Sequence, residues 1–138
     1  MQNNNNAKKR KICIVDDDNF ILEIYGIKLK QKDFEVVTAR NGREGFDVIK
    51  AENPDVAIID IMMPEIDGVG LIGALRKDPE LSEIPVVVLT NTDSPEVLNR
   101  IKNLDVHFYI VKALSDPQKV VDIIEEVLQN VPKRANSI

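Results

Sequence analysis

With 138 residues, 43% of them apolar and 30% charged, the chain has the size of one domain that buries about two-thirds of its unfolded surface without disulfide or metal staples. A net charge of −5 weighs against binding to a phosphate backbone, which depends on clustered Lys and Arg, so no nucleic-acid partner is expected. No apolar stretch approaches the ~20 residues of a membrane span, Cys13 is the one cysteine, and the start of the chain lacks the apolar core of a signal peptide. A cytoplasmic protein with no membrane partner is the expectation.

Residues 1–9 read as a solvated leader, and the basic run Lys8 to Lys11 that closes it reads as part of that leader. Ile12-Cys13-Ile14-Val15 then predicts a strand over 11–15, ended by Asp16 and Asp17. Ile21, Ile24, Tyr25 and Leu29 fall on one face of a helix. The next strand, 34–38, alternates polar and apolar residues and suits a sheet edge, whereas the third, 55–60, is continuously apolar until Asp60. After the loop Ile61 to Gly68 and a further helix comes a strand over 85–90 ending in Thr90, then one over 107–111 followed by Lys112. Ser94-Pro95 and Asp116-Pro117 each place a capping residue before a proline at the first helical position. The last helix carries Val120, Ile124, Val127 and Leu128 as a core stripe. Val121 and Ile123 widen it, which suits either a broad core contact or a self-association face for a homodimer. The domain spans 10–130, with a short tail over 131–138.

Strands alternating with helices imply an α/β fold: a five-stranded parallel sheet with right-handed crossovers and helices on both faces. Asp16, Asp17, Asp60, Thr90 and Lys112 would then all emerge at the carboxyl edge of that sheet, where open α/β folds bind ligands. Three converging carboxylates repel one another unless a cation sits among them. Magnesium suits a few carboxylates with retained waters, and no His or thiolate ligands are at hand to select zinc. Lys112 adds a positive charge and Thr90 a hydroxyl, so the ligand suited to the site is a phosphoryl group. Asp60, ending the third strand ahead of an open loop, is the natural nucleophile, giving an aspartyl phosphate.

These residues resemble the receiver domain of two-component response regulators over about residues 10 to 130. The acidic pair after the first strand, the Asp-x-x-x-Pro-x-x-x-Gly run from Asp60 through Pro64 to Gly68, the Thr ending the fourth strand and the Lys ending the fifth all match in type, order and spacing. The resemblance implies a flavodoxin-like (βα)5 sheet with strand order 2-1-3-4-5. It implies that Asp60 is the phosphoacceptor, that Asp16, Asp17, Asp60 and the backbone carbonyl of Met62 hold Mg2+, and that Thr90 and Lys112 contact the phosphoryl oxygens. Phosphate would come from a partner histidine kinase, a histidine phosphotransfer protein or a small phosphodonor. Apart from this self-catalysed uptake and autodephosphorylation, no enzymatic activity is implied. Thr90 and Tyr109 would act as the switch, remodelling the surface of the fourth helix, fifth strand and fifth helix for a downstream protein. Tyr109 equally fits a half-buried edge residue.

Two positions depart from the family pattern. Ala113 stands where a proline joined by a cis peptide usually follows the Lys; a cis bond to a non-proline residue costs about 2.5–4 kcal/mol, which puts the aim of Lys112 in question. Asn91 follows Thr90 where a small residue is usual, and narrows access to Asp60. Met62 cannot position an attacking water, which favours a long-lived phosphoryl group. His107, the single histidine, reads as structural or exposed, and the charged stretch Arg76 to Glu83 as a solvated helix end and loop. The leading expectation is a phosphorylation-activated switch without a fused output domain. The alternatives are a non-phosphorylated interaction module and, last, a magnesium-dependent aspartyl-phosphate phosphatase, which would place a second acid where Met62 stands.

Overall fold

The structure, a computed structural model, describes residues 9–63, 67–91, 95–112 and 116–130. Five strands, β1 (Lys11–Val15), β2 (Glu35–Ala39), β3 (Val56–Asp60), β4 (Val86–Thr90) and β5 (Phe108–Val111), alternate with five helices. The helices are α1 (Asn19–Gln31), α2 (Gly42–Glu52), α3 (Gly68–Lys77), α4 (Pro95–Ile101) and α5 (Pro117–Asn130). All strand pairs are parallel and their order is 2-1-3-4-5. The expected fold class and strand order hold. Strands two to five begin one residue later than the sequence suggested, and β2 runs on to Ala39.

The period of two within each strand builds two cores. Cys13, Val15, Ala57, Ile59, Val86 and Val88 face α2, α3 and α4 through Ile49, Leu71, Ile72, Leu75 and Ile101. Their neighbours Ile12, Ile14, Val56, Ile58, Val87, Leu89 and Ile110 face α1 and α5 through Tyr25, Leu29, Val120, Ile124 and Val127. Because β1, β3 and β4 are covered on both sides, they lack polar alternation. β2, at the edge, keeps it: Glu35 and Thr38 are exposed. Val121 is fully buried and Ile123 packs against the same cluster, so the width of the α5 stripe is a broad core contact.

Side-chain caps fix the helix starts. Asp18 accepts from the Phe20 N–H at 2.9 Å, Asn41 from Glu44 at 2.8 Å, Asp67 from Gly70 at 3.0 Å and Asp116 from Lys119 at 2.8 Å. Each supplies an acceptor to a helix N-terminal N–H that has no intrahelical partner. Glu44 also accepts from the Arg40 N–H at 2.7 Å, reaching back across the start of α2. Of what was named from sequence, Lys8, Pro64, Ser94 and Ala113 lie outside the described residues, with the Lys112–Ala113 peptide, the leader up to residue 8 and the tail over 131–138.

Candidate functional site

β1 and β3 are neighbours in register, with Val15 opposite Ile59, so the residues that follow them, Asp16 and Asp60, leave the sheet side by side. Both are buried, at 0% and 1% exposure, while Asp17, one residue on, is exposed. A carboxylate oxygen from each of the three can be found within 4.8 Å of the others. Thr90, fully buried, ends β4 beside β3, and Lys112 follows Val111, the last residue of β5. The five residues predicted from sequence thus stand at one edge.

Lys112 is the cation at the centre of this cluster. Its Nζ lies 2.8 Å from Asp16 Oδ2 and 3.5 Å from Asp60 Oδ2. Asp16 Oδ2 is buried and accepts no hydrogen bond; the ammonium meets it as an ion pair. Asp16 Oδ1 accepts from the Asp18 N–H at 2.9 Å, and Asp60 Oδ1 from the Met62 N–H at 3.2 Å. Two buried carboxylates against one ammonium leave surplus negative charge. Burial and the Asp16 charge together push Asp60 up to about 7, against the opposing pull of Lys112 and the Met62 N–H. For Lys112, burial works against the charged form, but the close contact with Asp16 and the charges of Asp60 and Asp16 outweigh it and raise its pKa.

The surplus charge and the buried Asp16 oxygen without an aligned donor fit a hard divalent cation held by oxygen ligands. The exposed Asp17 gives such an ion a solvent-side ligand, and Asp16 and Asp60 give it buried ones. In the loop after β3, Met62 puts an apolar side chain at the surface, 54% exposed. At its far end Gly68 is packed flush on the Asp60 backbone: its N–H donates to the Ile61 carbonyl at 3.0 Å. A Cβ there would run into the Asp60 carbonyl and stand 2.7 Å from Ile61 Cα. A close backbone approach of this kind is what only glycine permits.

The remaining predicted residues sit farther out. Tyr109 is 43% exposed on β5 and Asn91 is exposed just past Thr90. His107 is exposed, as expected. One sequence reading needs correction. Arg76 is not part of a solvated helix end: it is half-buried, and its guanidinium donates to the carbonyls of Leu104 (2.9 Å), Ser82 (3.1 Å), Ile84 (2.7 Å) and Asp105 (2.9 Å). Burial lowers its pKa. Also unforeseen is the ion pair between Asp67 and Arg100, 2.8 Å apart, which joins the start of α3 to the end of α4. Neither was readable from sequence, because both depend on how loops distant in the chain come together.

Known proteins share this fold. A family profile described as the response regulator receiver domain matches residues 12–125. The chain is 36% identical over 133 residues to a probable transcriptional regulator ycf27 of Pyropia yezoensis, covering 95% of this chain and 52% of that one. It is 38% identical over 131 residues to the protein of the same description from Guillardia theta, covering 94% and 49%. The chain therefore spans about half the length of the curated relatives it matches. Among solved structures, the chemotaxis protein CheY4 of Vibrio cholerae superposes with a TM-score of 0.81 at 28% identity, covering 87% of this chain and 99% of that one. The BeF3-activated N-terminal receiver domain of Klebsiella pneumoniae RstA does so with a TM-score of 0.78 at 29% identity, covering 88% and 100%. Motif, sheet order and family match converge: the chain belongs to the response regulator receiver domain family of two-component signalling.

Proposed function

We propose that this receiver domain is a phosphorylation-activated switch whose phosphoacceptor is Asp60. The observation that carries the reading is the buried pair Asp16 and Asp60 sharing the single Lys112 ammonium, with Asp60 held near neutrality. Perturbed carboxylates of this kind mark sites of chemistry. Receiver domains bind Mg2+ at an acidic pocket, and Asp16, Asp17, Asp60 and the Met62 carbonyl would hold the ion here. When bound it would neutralise charge on the transferring phosphoryl oxygens.

The residues of the chain supply the rest. An Asp60 oxygen attacks the phosphorus of the donor and forms the P–O bond as the bond to the leaving group breaks, giving the aspartyl phosphate. Lys112 follows the charge from carboxylate to phosphoryl oxygens, and the Thr90 hydroxyl donates to one of them. Exposed Met62 offers no group to orient an attacking water, which supports a long-lived phosphoryl group.

Receiver domains interact with histidine kinases or phosphotransfer proteins, and the phosphoryl group would come from one of these or from a small phosphodonor. Thr90 and Tyr109 would carry the change to the surface of α4, β5 and α5, where a downstream protein binds. The relatives described as transcriptional regulators extend the output reading to control of transcription, which limits the expectation of no nucleic-acid contact to the receiver fold itself. No helix among the described residues is long and apolar enough to cross a membrane, and a cytoplasmic site of action fits a kinase partner.

The test is intact mass after incubation with Mg2+ and acetyl phosphate, wild type against Asp60→Asn. A magnesium-dependent gain of one phosphoryl mass, lost in the variant, is expected. No gain in the wild type would favour the non-phosphorylated interaction module.

A further inference from the structure

Among the described residues, α4 buries fewer than any other helix. Among its described side chains only Ile101 is buried, and Leu98 is half-buried; Pro95, Glu96, Asn99 and Arg100 are exposed. Two contacts from α3 hold it, one at each end of that helix. At the C-terminal end of α3, Arg76 grips the loop after α4 through the carbonyls of Leu104 and Asp105, while binding Ser82 and Ile84 on the way into β4. At the N-terminal end, Asp67 uses both carboxylate oxygens. Oδ1 caps α3 through the Gly70 N–H at 3.0 Å, and Oδ2 takes the Arg100 guanidinium at 2.8 Å.

The two tethers are unequal. The Arg76 guanidinium is half-buried with four acceptors, whereas the Asp67–Arg100 pair is 32% and 45% exposed. Exposed pairs contribute little on their own, but α4, with one buried side chain among those described, has few other contacts to hold it. Asp67 is also next to Gly68, whose backbone rests on the Asp60 carbonyl and Ile61 Cα with no room for a Cβ. A shift of the Asp60 backbone would therefore press on Gly68, the neighbour of Asp67.

We propose that the Asp67–Arg100 ion pair is a latch that holds α4 in its unphosphorylated arrangement, and that it opens when the loop after Asp60 adjusts to the phosphoryl group. The Arg76 clamp stays closed and serves as the pivot. The latch rests on the reading of Asp60 as phosphoacceptor, and it adds a physical link running from Asp60 through Gly68 and Asp67 to Arg100 and α4. Two sites biasing one element is the condition for such coupling.

Hydrogen exchange at α4, compared across a double-mutant cycle, tests it. Asp67→Asn keeps the α3 cap, since Asn caps as well as Asp, but removes the charge; Arg100→Gln keeps a good helix former. Each should speed exchange across residues 95–101 of the unphosphorylated protein by roughly two- to fivefold, the scale of an exposed pair. The double variant should gain no more than either single one. Phosphorylation should speed α4 exchange in the wild type and add little in the variants, while Lys50→Gln, which removes ion pairs elsewhere, should leave α4 unchanged. Unaltered α4 exchange in both single variants, or a double variant equal to their sum, would overturn the latch. Intact mass on the same samples keeps the two readings apart. A phosphoryl gain with α4 unmoved sinks the latch alone; no gain in any sample sinks the phosphoacceptor reading and the latch with it.

Discussion

The two ends of the sheet handle charge in opposite ways. At the end where strands begin, Lys11 Nζ lies 2.8 Å from Glu52 and 3.7 Å from Glu35, the Lys11 N–H donates to Asp55 at 2.8 Å, and Lys50 bridges Asp78 and Glu80 at 2.9 and 2.8 Å. Acids outnumber ammonium groups there as well, but most of these side chains reach water: Glu35, Glu52, Lys50 and Glu80 are 41–75% exposed, Lys11 and Asp78 23% and 13%. At the end where strands finish, two buried acids share one ammonium, and one buried oxygen has no aligned donor. Both ends would count as ion-pair networks in a tally. Only the second holds its surplus charge buried, and unbalanced buried charge is what a cation and a phosphoryl group can use.

The largest effect expected from breaking this contrast is Lys112→Met. It leaves Asp16 and Asp60 buried with no cation, which costs about 3 kcal/mol, reduced to the extent that Asp60 takes up a proton. Phosphoryl uptake from acetyl phosphate should slow roughly 10²-fold, as for loss of one charge-stabilising donor. Initial rates by intact mass and a urea titration check the two parts; a rate within a factor of two of wild type would remove Lys112 from the chemistry.

Gly68→Ala comes next. The added methyl has no space against the Asp60 carbonyl and Ile61 Cα, so overpacking should cost roughly 1–3 kcal/mol and displace the phosphoacceptor. Gly73→Ala on the same helix is the control, because nothing lies within 4 Å of a Cβ there. It should stabilise the protein slightly, by about 0.5–1 kcal/mol. Equal urea midpoints for the two variants would contradict the close fit at Gly68.

The pH dependence of stability sharpens the comparison further. Below its ordinary value of 3.8 Asp60 is protonated in both folded and unfolded chains. Between that value and about 7 the folded chain keeps a proton that the unfolded chain has released, so the metal-free fold is favoured at the acid end and loses this advantage as pH climbs through 7. The urea midpoint measured in EDTA should therefore fall from pH 5 to pH 8 in the wild type and fall less in Asp60→Asn. Magnesium should restore the pH 8 value, since it favours the ionised carboxylates. A wild-type profile that rises over this range would contradict the raised Asp60 value.

The smallest effect belongs to the other end. Lys50→Gln removes two ion pairs made by a half-exposed ammonium far from the buried acids and should lower the urea midpoint by little and leave the rate of phosphoryl uptake unchanged. A measurable change in the rate of uptake would mean that the more exposed end is not independent of the site.

The same contrast explains what could be read from the sequence. Parallel strands buried on both faces are long apolar runs, and an Asp, Thr or Lys directly after such a run has one place to go. That is why Asp16, Asp60, Thr90 and Lys112 could be assigned to one edge before their contacts were known, and why the alternation in β2 marked it as a sheet edge. Order among the strands came from family resemblance, because hydrophobic pattern carries no information on which strand neighbours which. Arg76 and the Asp67–Arg100 pair were unreadable for a different reason. Their partners are backbone carbonyls and a side chain brought close by loop geometry, and a charged residue near a helix end looks the same in sequence whether it is solvated or clamped. Tyr109 stays ambiguous because an exposed ring on an edge strand suits both a resting switch and an ordinary strand residue.

The most direct test of the central claim is to locate the phosphoryl group. Protein treated with Mg2+ and acetyl phosphate is reduced with borohydride, which converts an aspartyl phosphate to homoserine, and the peptides are sequenced by mass spectrometry. Homoserine at position 60, dependent on magnesium and absent from the neighbouring Asp16 and Asp17, is the predicted result. Homoserine at Asp16 or Asp17 instead, or at no aspartate although the protein binds magnesium, would contradict the assignment of Asp60 as the phosphoacceptor.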